Sequence, residues 1–153
     1  MKRQSGFTLL EILVVVAIVG ILSATAVPLY HTWQGRAYGS EAAIMLKQIV
    51  AAEISYLLDN SKFYPDNNTY MILHDGETNP TDAIKQIEEN LHITISQGHF
   101  LEYSLTGNNE PGKEQFILTI SSKDEQFNIF KDSYMIIVNM DKNGNVNNFT
   151  PYY

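Results

Sequence analysis

Apolar and polar positions divide the chain into distinct regimes. From Phe7 to Leu29 nearly every residue is apolar, and between Phe7 and Gly35 the only fully charged side chain is Glu11. Ile12 to Leu29 is long and apolar enough to cross a bilayer as a helix. Beyond it the pattern becomes one-sided. Ala43, Leu46, Val50, Ile54 and Leu57 recur at spacings of three and four, while Glu41, Gln48, Ser55 and Asp59 fall elsewhere. The pattern predicts one helix from Phe7 to about Leu58, roughly 80 Å long at ~1.5 Å per residue. Its first half is apolar all round, and its second half carries a stripe suited to lie on a sheet. Gly20, Pro28, Gly35 and Gly39 interrupt it. Pro28, which has no amide hydrogen, is expected to kink the helix or leave a carbonyl unpaired.

Leu58 to Lys62 ends this helix, and Phe63 to Thr78 predicts a polar loop with Tyr64-Pro65-Asp66-Asn67-Asn68 as a turn cluster. Asn79-Pro80-Thr81-Asp82 opens a short helix to about Asn90. Strands are predicted at Leu91–Ser96, Leu101–Leu105, Gln115–Ser121 and Tyr134–Met140. Half-buried antiparallel pairing is expected from the alternation Leu91/Ile93/Ile95, Phe116/Leu118/Ile120 and Tyr134/Ile136/Val138/Met140. Asn143-Gly144 reads as a tight hairpin turn into Val146–Phe149. The fold class is α+β, a long N-terminal helix packed on a C-terminal antiparallel sheet of about four strands.

Glu11 is the anomaly in the apolar run. A carboxylate in a membrane-spanning helix costs about 2.5–3.5 kcal/mol at the helix centre, whereas Val or Leu would insert freely. That cost points to a role in binding a counter-charge, unless the group lies shallow enough to reach the headgroups. In front of it, Lys2 and Arg3 form a short positive leader that ends at Gly6, and Phe7 opens the apolar segment.

The stretch Gly6-Phe7-Thr8-Leu9-Leu10-Glu11, abutting a membrane-length helix, resembles the N-terminal signature of type IV pilins, shared by the pseudopilins of type II secretion. The resemblance is strong over residues 5–30 and loose afterwards. The stretch Ile54 to Pro65 is similar to the helix exit of many pilins. The resemblance implies a cut by a prepilin peptidase between Gly6 and Phe7, N-methylation of Phe7, and Glu11 as the fifth residue of the mature chain. It also implies that Gly20 and Pro28 bound a soft joint in the helix. Close packing between transmembrane helices would equally account for Gly20. Under this resemblance the chain divides into a leader (1–6), a transmembrane and filament-core helix (7–30), and an amphipathic half (31–58). A loop with a short helix (59–90) and an antiparallel sheet with a terminal hairpin (91–153) complete it.

The expected function is that of a structural pilus subunit. It would be held in the inner membrane as a precursor and then polymerised with copies of itself into an extracellular filament, with the peptidase and an inner-membrane assembly platform as partners. A secretion pseudopilin, forming a short periplasmic piston fibre, is the alternative. A further rival reads Ala24-Thr25-Ala26 as an ordinary signal-peptide cut, which leaves Glu11 and the Gly6–Phe7 junction unexplained.

Composition narrows the partners. The formal charge is −7, and loss of Lys2 and Arg3 with the leader takes it to −9. The remaining basic residues are scattered singly from Arg36 to Lys142, which argues against nucleic acid. There is no cysteine, so no disulfide pins the C-terminal region, and packing, hydrogen bonds or an ion must hold it. Many members of the resembled family do use a disulfide there.

No nucleophile motif, phosphate loop or zinc spacing is present, so neither an enzymatic activity nor a cofactor is expected. His31, His74, His92 and His99 share no ligand spacing. Asp141, Asn143 and Asn145 resemble the opening of a calcium loop, but Tyr152 stands where the closing glutamate belongs, and a plain turn is favoured. The aromatic residues Phe7, Tyr30, Trp33, Tyr38, Tyr56, Phe63 and Tyr64 read as interface anchors and core. Asn67-Asn68-Thr69 and Asn148-Phe149-Thr150 match a glycosylation triplet by composition alone.

Overall fold

The structure, a computed structural model, describes residues 6–72, 81–95, 100–122 and 135–152, with side chains at 81–83 and 147–152 left aside. Helix α1 runs Leu9–Asn60, followed by strand β1 (Asn68–Ile72) and helix α2 (Thr81–Leu91). Strands β2 (Leu101–Asn108), β3 (Gln115–Ser122), β4 (Met135–Asp141) and β5 (Val146–Tyr152) complete the chain. The architecture is α+β. The chain forms two compact units, residues 1–34 and 35–153.

In the first unit α1 is exposed on all sides, Val14, Ile18, Ile21 and Leu22 included, and it stays helical through Pro28. This is the sequence pattern made visible, because a helix apolar all round has no single face to bury. Pro28 offers no N–H to the carbonyl of Ala24, one turn before it. The Pro28 carbonyl itself accepts the Thr32 hydroxyl at 3.1 Å, and Leu22 likewise accepts Thr25 at 3.0 Å.

The second unit is a five-stranded antiparallel meander in sequence order β1-β2-β3-β4-β5, with a register irregularity at Asn139/Met140. Alternation along the strands places Leu101, Tyr103 and Leu105, then Phe116, Leu118 and Ile120, then Ile136, Val138 and Met140 in the core. From α1, Ala42, Met45 and Ile49 join them; from α2, Ile84, Ile87 and Leu91. Each such side chain removed from water contributes about 1.5–3 kcal/mol before ordering costs are counted.

Several expectations change. The sheet has five strands because Asn68–Ile72, expected as loop, pairs with β2 from Asn68↔Gly107 to Ile72↔Tyr103. The segment expected as a strand from Leu91 is not one. Leu91 is the last residue of α2, His92 turns left-handed at φ 54°, and residues 92–95 form no strand. Leu91 continues the buried Ile84/Ile87 stripe of that helix, and Ile95 is buried without strand pairing. The stripe of α1 is also turned. The residues it buries are Gly39, Ala42, Met45, Ile49 and Glu53, while Leu46, Val50, Ile54 and Leu57 flank them partly buried. One residue earlier at every turn is a rotation of roughly a quarter of the circumference.

Both helices end on a non-glycine residue in the left-handed region. Ser61 (φ 55°) donates its N–H to Leu57 O at 2.8 Å, and His92 to Glu88 O at 3.0 Å, closing the last turn in each case. Tyr134, His74, His99, Asn79, Pro80 and Ser96 lie outside the described residues.

Candidate assembly site

The front of α1 is built by Thr8. Its hydroxyl accepts the Glu11 N–H at 3.2 Å, and its carbonyl accepts the amides of Glu11 (3.1 Å) and Ile12 (3.3 Å). Thr8 is therefore the N-cap and Glu11 occupies the third helical position, the Thr-x-x-Glu arrangement of a capping box. The signal lies in the sequence, though the apolar run draws attention away from it. A carboxylate in the first turn also gains about 0.3–1 kcal/mol from the helix dipole at an exposed site. Gly6, Phe7 (79% exposed) and Glu11 all lie open to solvent, and among the described residues no side chain engages the Glu11 carboxylate. The acid is thus presented outward at the end of an apolar rod, available to a group from elsewhere.

Gly20 sits on the open helix with no atom within 4 Å of where a Cβ would stand. Packing within the chain does not require glycine there, and glycine inside a helix costs about 1 kcal/mol relative to alanine. Its reason is external to the subunit or lies in flexibility. Pro28, the other residue marked as a joint, lies in the same exposed segment.

At the far end of α1 the helix exit is held by residues the sequence pattern did not single out. Glu53 is fully buried, and its Oε1 accepts the Tyr64 N–H at 2.7 Å. Its Oε2 is buried and has no partner among the described residues. Burial, opposed by that one backbone hydrogen bond, pushes its carboxyl up to about 8. Asn109, after β2, binds the exit from the other side. Its Oδ1 accepts the Phe63 N–H at 2.7 Å, and its Nδ2 donates to Phe63 O at 2.9 Å and to Asp66 Oδ1 at 2.8 Å. Its own N–H donates to Asn67 Oδ1 at 2.6 Å. Asp66 also takes Lys62 Nζ at 2.9 Å, and the two hydrogen bonds, Lys62 first, hold its carboxyl below the usual range. Gly107 completes the clasp, since a Cβ there would stand 2.0 Å from Pro65 O. Phe63 and Tyr64 are consequently buried, with Phe63 stacked on Phe116 and Tyr64 between Tyr56 and Tyr70.

At the last hairpin, Asp141 organises the turn. Its Oδ1 accepts the N–H groups of Asn143 and Asn145, both at 2.9 Å, and its Oδ2 accepts Asn145 Nδ2 at 3.2 Å. Gly144, at φ 78°, donates to Asp141 O. Both carboxylate oxygens thus serve the turn. Among the described residues no three acidic, histidine or cysteine side chains gather as a metal site. His31 and His92 are exposed and far apart in the chain. Asn67 gives its side-chain oxygen to the Asn109 latch, and the side chain of Asn148 lies outside the description.

Residues 1–27 match the family model described as the prokaryotic N-terminal methylation motif. The chain is similar to the type IV major pilin protein PilE1 of Neisseria gonorrhoeae, 46% identical over 82 residues, which covers 54% of this chain and 47% of the relative. It is 44% identical over 66 residues to a fimbrial protein of Neisseria meningitidis serogroup A, covering 43% of this chain and 38% of the relative. The chain thus carries the N-terminal methylation motif and is similar, over about half of its length, to proteins named as type IV pilins.

A fimbrial protein of Pseudomonas aeruginosa is similar to the chain over most of its length, at 29% identity over 131 residues, 82% of this chain and 83% of the relative. The chain spans about half the length, or less, of the neisserial relatives. The motif match takes in Gly6, Phe7, Thr8, Glu11 and Gly20 and stops one residue short of Pro28. These relatives are named as pilins and fimbrial proteins, and none of the names is that of an enzyme.

Proposed function

We propose that this chain is a structural subunit of a type IV pilus. A leader of residues 1–6 is removed between Gly6 and Phe7 by a prepilin peptidase, and the new Phe7 amine is N-methylated. The segment 7–30 holds the precursor in the inner membrane and becomes the filament core when an inner-membrane platform assembles subunits. Gly20 and Pro28 act as the joint that lets this segment adjust on entry.

The observation that carries this reading is the apolar first half of α1, exposed on all sides among the described residues and bearing a single outward carboxylate one turn from its start. In lipid the apolar surface is satisfied, and in a filament the same surface is covered by copies of itself. The acid is satisfied when it meets the Phe7 amine of a neighbour. At ~4 Å and an effective dielectric near 20 that pair is worth about 4 kcal/mol, less the cost of desolvating both ions.

The test replaces the chromosomal gene with Glu11→Val as the sole copy. Processed, membrane-resident protein with few or no sheared surface fibres is expected, and normal fibres would refute the pairing. Mass spectrometry of the mature chain, expected to begin at methylated Phe7, checks the processing. Loss of surface fibres from a strain lacking the gene supports a pilus. Loss of protein secretion with no change in surface fibres supports the pseudopilin reading.

A further inference from the structure

The buried carboxyl of Glu53 has no part in the assembly scheme, and its surroundings favour the uncharged state. One oxygen accepts the Tyr64 N–H as a carbonyl would, and the other is enclosed with neither donor nor acceptor among the described residues. A neutral acid suits this arrangement better: its hydroxyl, on the second oxygen, goes without an acceptor, but no charge is buried. An ionised one leaves half of a carboxylate unpaired inside the core, which is unfavourable enough that the surroundings must yield.

What yields first is set by the attachments. Glu53 sits in the buried stripe of α1 behind Met45 and Ile49, whereas Tyr64 belongs to the short connection between α1 and β1. We infer that Glu53 is a proton-operated latch on the helix exit: neutral, it clamps the Tyr64 amide and keeps Phe63 and Tyr64 in the core; ionised, it releases residues 61–67.

The surrounding titratable groups leave the decision to Glu53. On α1 its near neighbour one turn on is Tyr56, whose ring meets that of Tyr64. On the exit segment, Lys62 and Asp66 pair with each other at the surface. The Tyr64 phenol is pushed far above its ordinary value, by burial first and by the Tyr70 hydroxyl of β1 next, and so stays neutral. From α2, Asn90 reaches the Tyr64 hydroxyl with a neutral amide, while Lys85 and Glu89 pair in solvent. On β2 the buried Tyr103 phenol is raised by burial first and by the charge of Glu41 next. The surface ions beyond it pair as Lys113–Glu110 and Lys142–Glu114. Among the described residues no ion pair includes Glu53. The rise of its own carboxyl to about 8, caused by burial, agrees with the geometry.

The test follows the full chain in detergent micelles from pH 4 to pH 10. The carbon-13 shift of the Glu53 carboxyl gives its titration directly. Hydrogen exchange at the Phe63 and Tyr64 amides, corrected for intrinsic base catalysis, gives the opening of the latch. The expected opening equilibrium grows about tenfold per pH unit between the ordinary carboxyl range and about 8, then levels off. Over the same range the Leu118 amide, in the middle of the sheet, keeps its protection, and Glu53→Gln holds the exit amides flat. A carboxyl midpoint within one unit of 4.5 overturns the latch, as does Glu53→Gln opening with the wild-type pH profile. Loss of Leu118 protection in step with Tyr64 overturns it too, since that is global unfolding.

Discussion

Asn109→Ala removes the side chain that joins the end of β2 to the exit of α1. In the structure its amide accepts the Phe63 N–H at 2.7 Å and returns a hydrogen bond to Phe63 O at 2.9 Å. Phe63 is wholly buried, so water does not readily replace either partner. A buried amide left without a partner costs about 1–3 kcal/mol, and the carbonyl, with a second lone pair, costs less. The exposed arm to Asp66 adds nothing that this reckoning needs. The expected loss is about 2–4 kcal/mol, measured as a lower denaturant midpoint for the full chain in micelles at pH 6, with an unchanged slope. Asn109→Asp sharpens the test. It keeps an acceptor for Phe63 N–H but places a carboxylate beside Phe63 O and Asp66, so it should be poor at pH 7 and recover on acidification below about 4, where the acid can donate again. A change smaller than about 0.5 kcal/mol in Asn109→Ala would show that Phe63 is held by packing on Phe116 alone, and would refute the role given to Asn109.

Gly107→Ala should cost about 1–3 kcal/mol or more, because its methyl group would lie 2.0 Å from the Pro65 carbonyl oxygen and the loop backbone must retreat; denaturant melts of the paired variants measure it. For Glu53 the folded value of about 8 exceeds the ordinary 4.5, so the folded state holds its proton longer. Stability is full below 4.5 and declines as pH rises toward 8 by at most about 1.4 kcal/mol per unit, while Glu53→Gln removes that slope in melts across the range. Asp141→Ala strips the acceptor from the Asn143 and Asn145 amides and should cost about 1 kcal/mol. Because the carboxylate already serves those donors, added calcium or a chelator should leave the wild-type melting temperature unchanged. A calcium-dependent rise would refute that reasoning.

Much of the fold is written in local pattern. Phe116/Leu118/Ile120 and Ile136/Val138/Met140 alternate as strands and are buried as strands. The α1 helix follows from its long apolar and amphipathic run, which Pro28 does not break. Elsewhere partners decide. Asn68–Ile72 buries only Ile72 fully and becomes a strand because β2 offers an edge, which no local window contains. Leu91/Ile93/Ile95 mimics a strand, yet Leu91 is the next turn of a helix whose stripe began at Ile84. The stripe on α1 was displaced because its centre holds Gly39, Ala42 and a glutamate, types that a search for large apolar residues passes over. Gly6, Phe7 and Glu11 stand out in the sequence since their chemistry is local. Asn109 and Glu53 could not, since their meaning lies in contacts with residues 46 and 11 positions away.

The absence of cysteine gives these contacts their importance. A disulfide restrains a segment through chain entropy and is indifferent to its surroundings over wide ranges of pH. Here the segment from Ser61 to Asn67 is restrained by a left-handed helix cap, a neutral carboxyl, an asparagine that binds both backbone groups of one residue, and a glycine that admits a proline carbonyl. Each device is polar or steric rather than covalent, and one of them can lose a proton. The exit of α1 is therefore the place where this domain exchanges stability for responsiveness. Substitutions there should couple strongly: Asn109→Ala combined with Glu53→Gln should lose less at pH 9 than Asn109→Ala alone, because the neutral amide keeps hold of Tyr64 when the carboxylate would have let go.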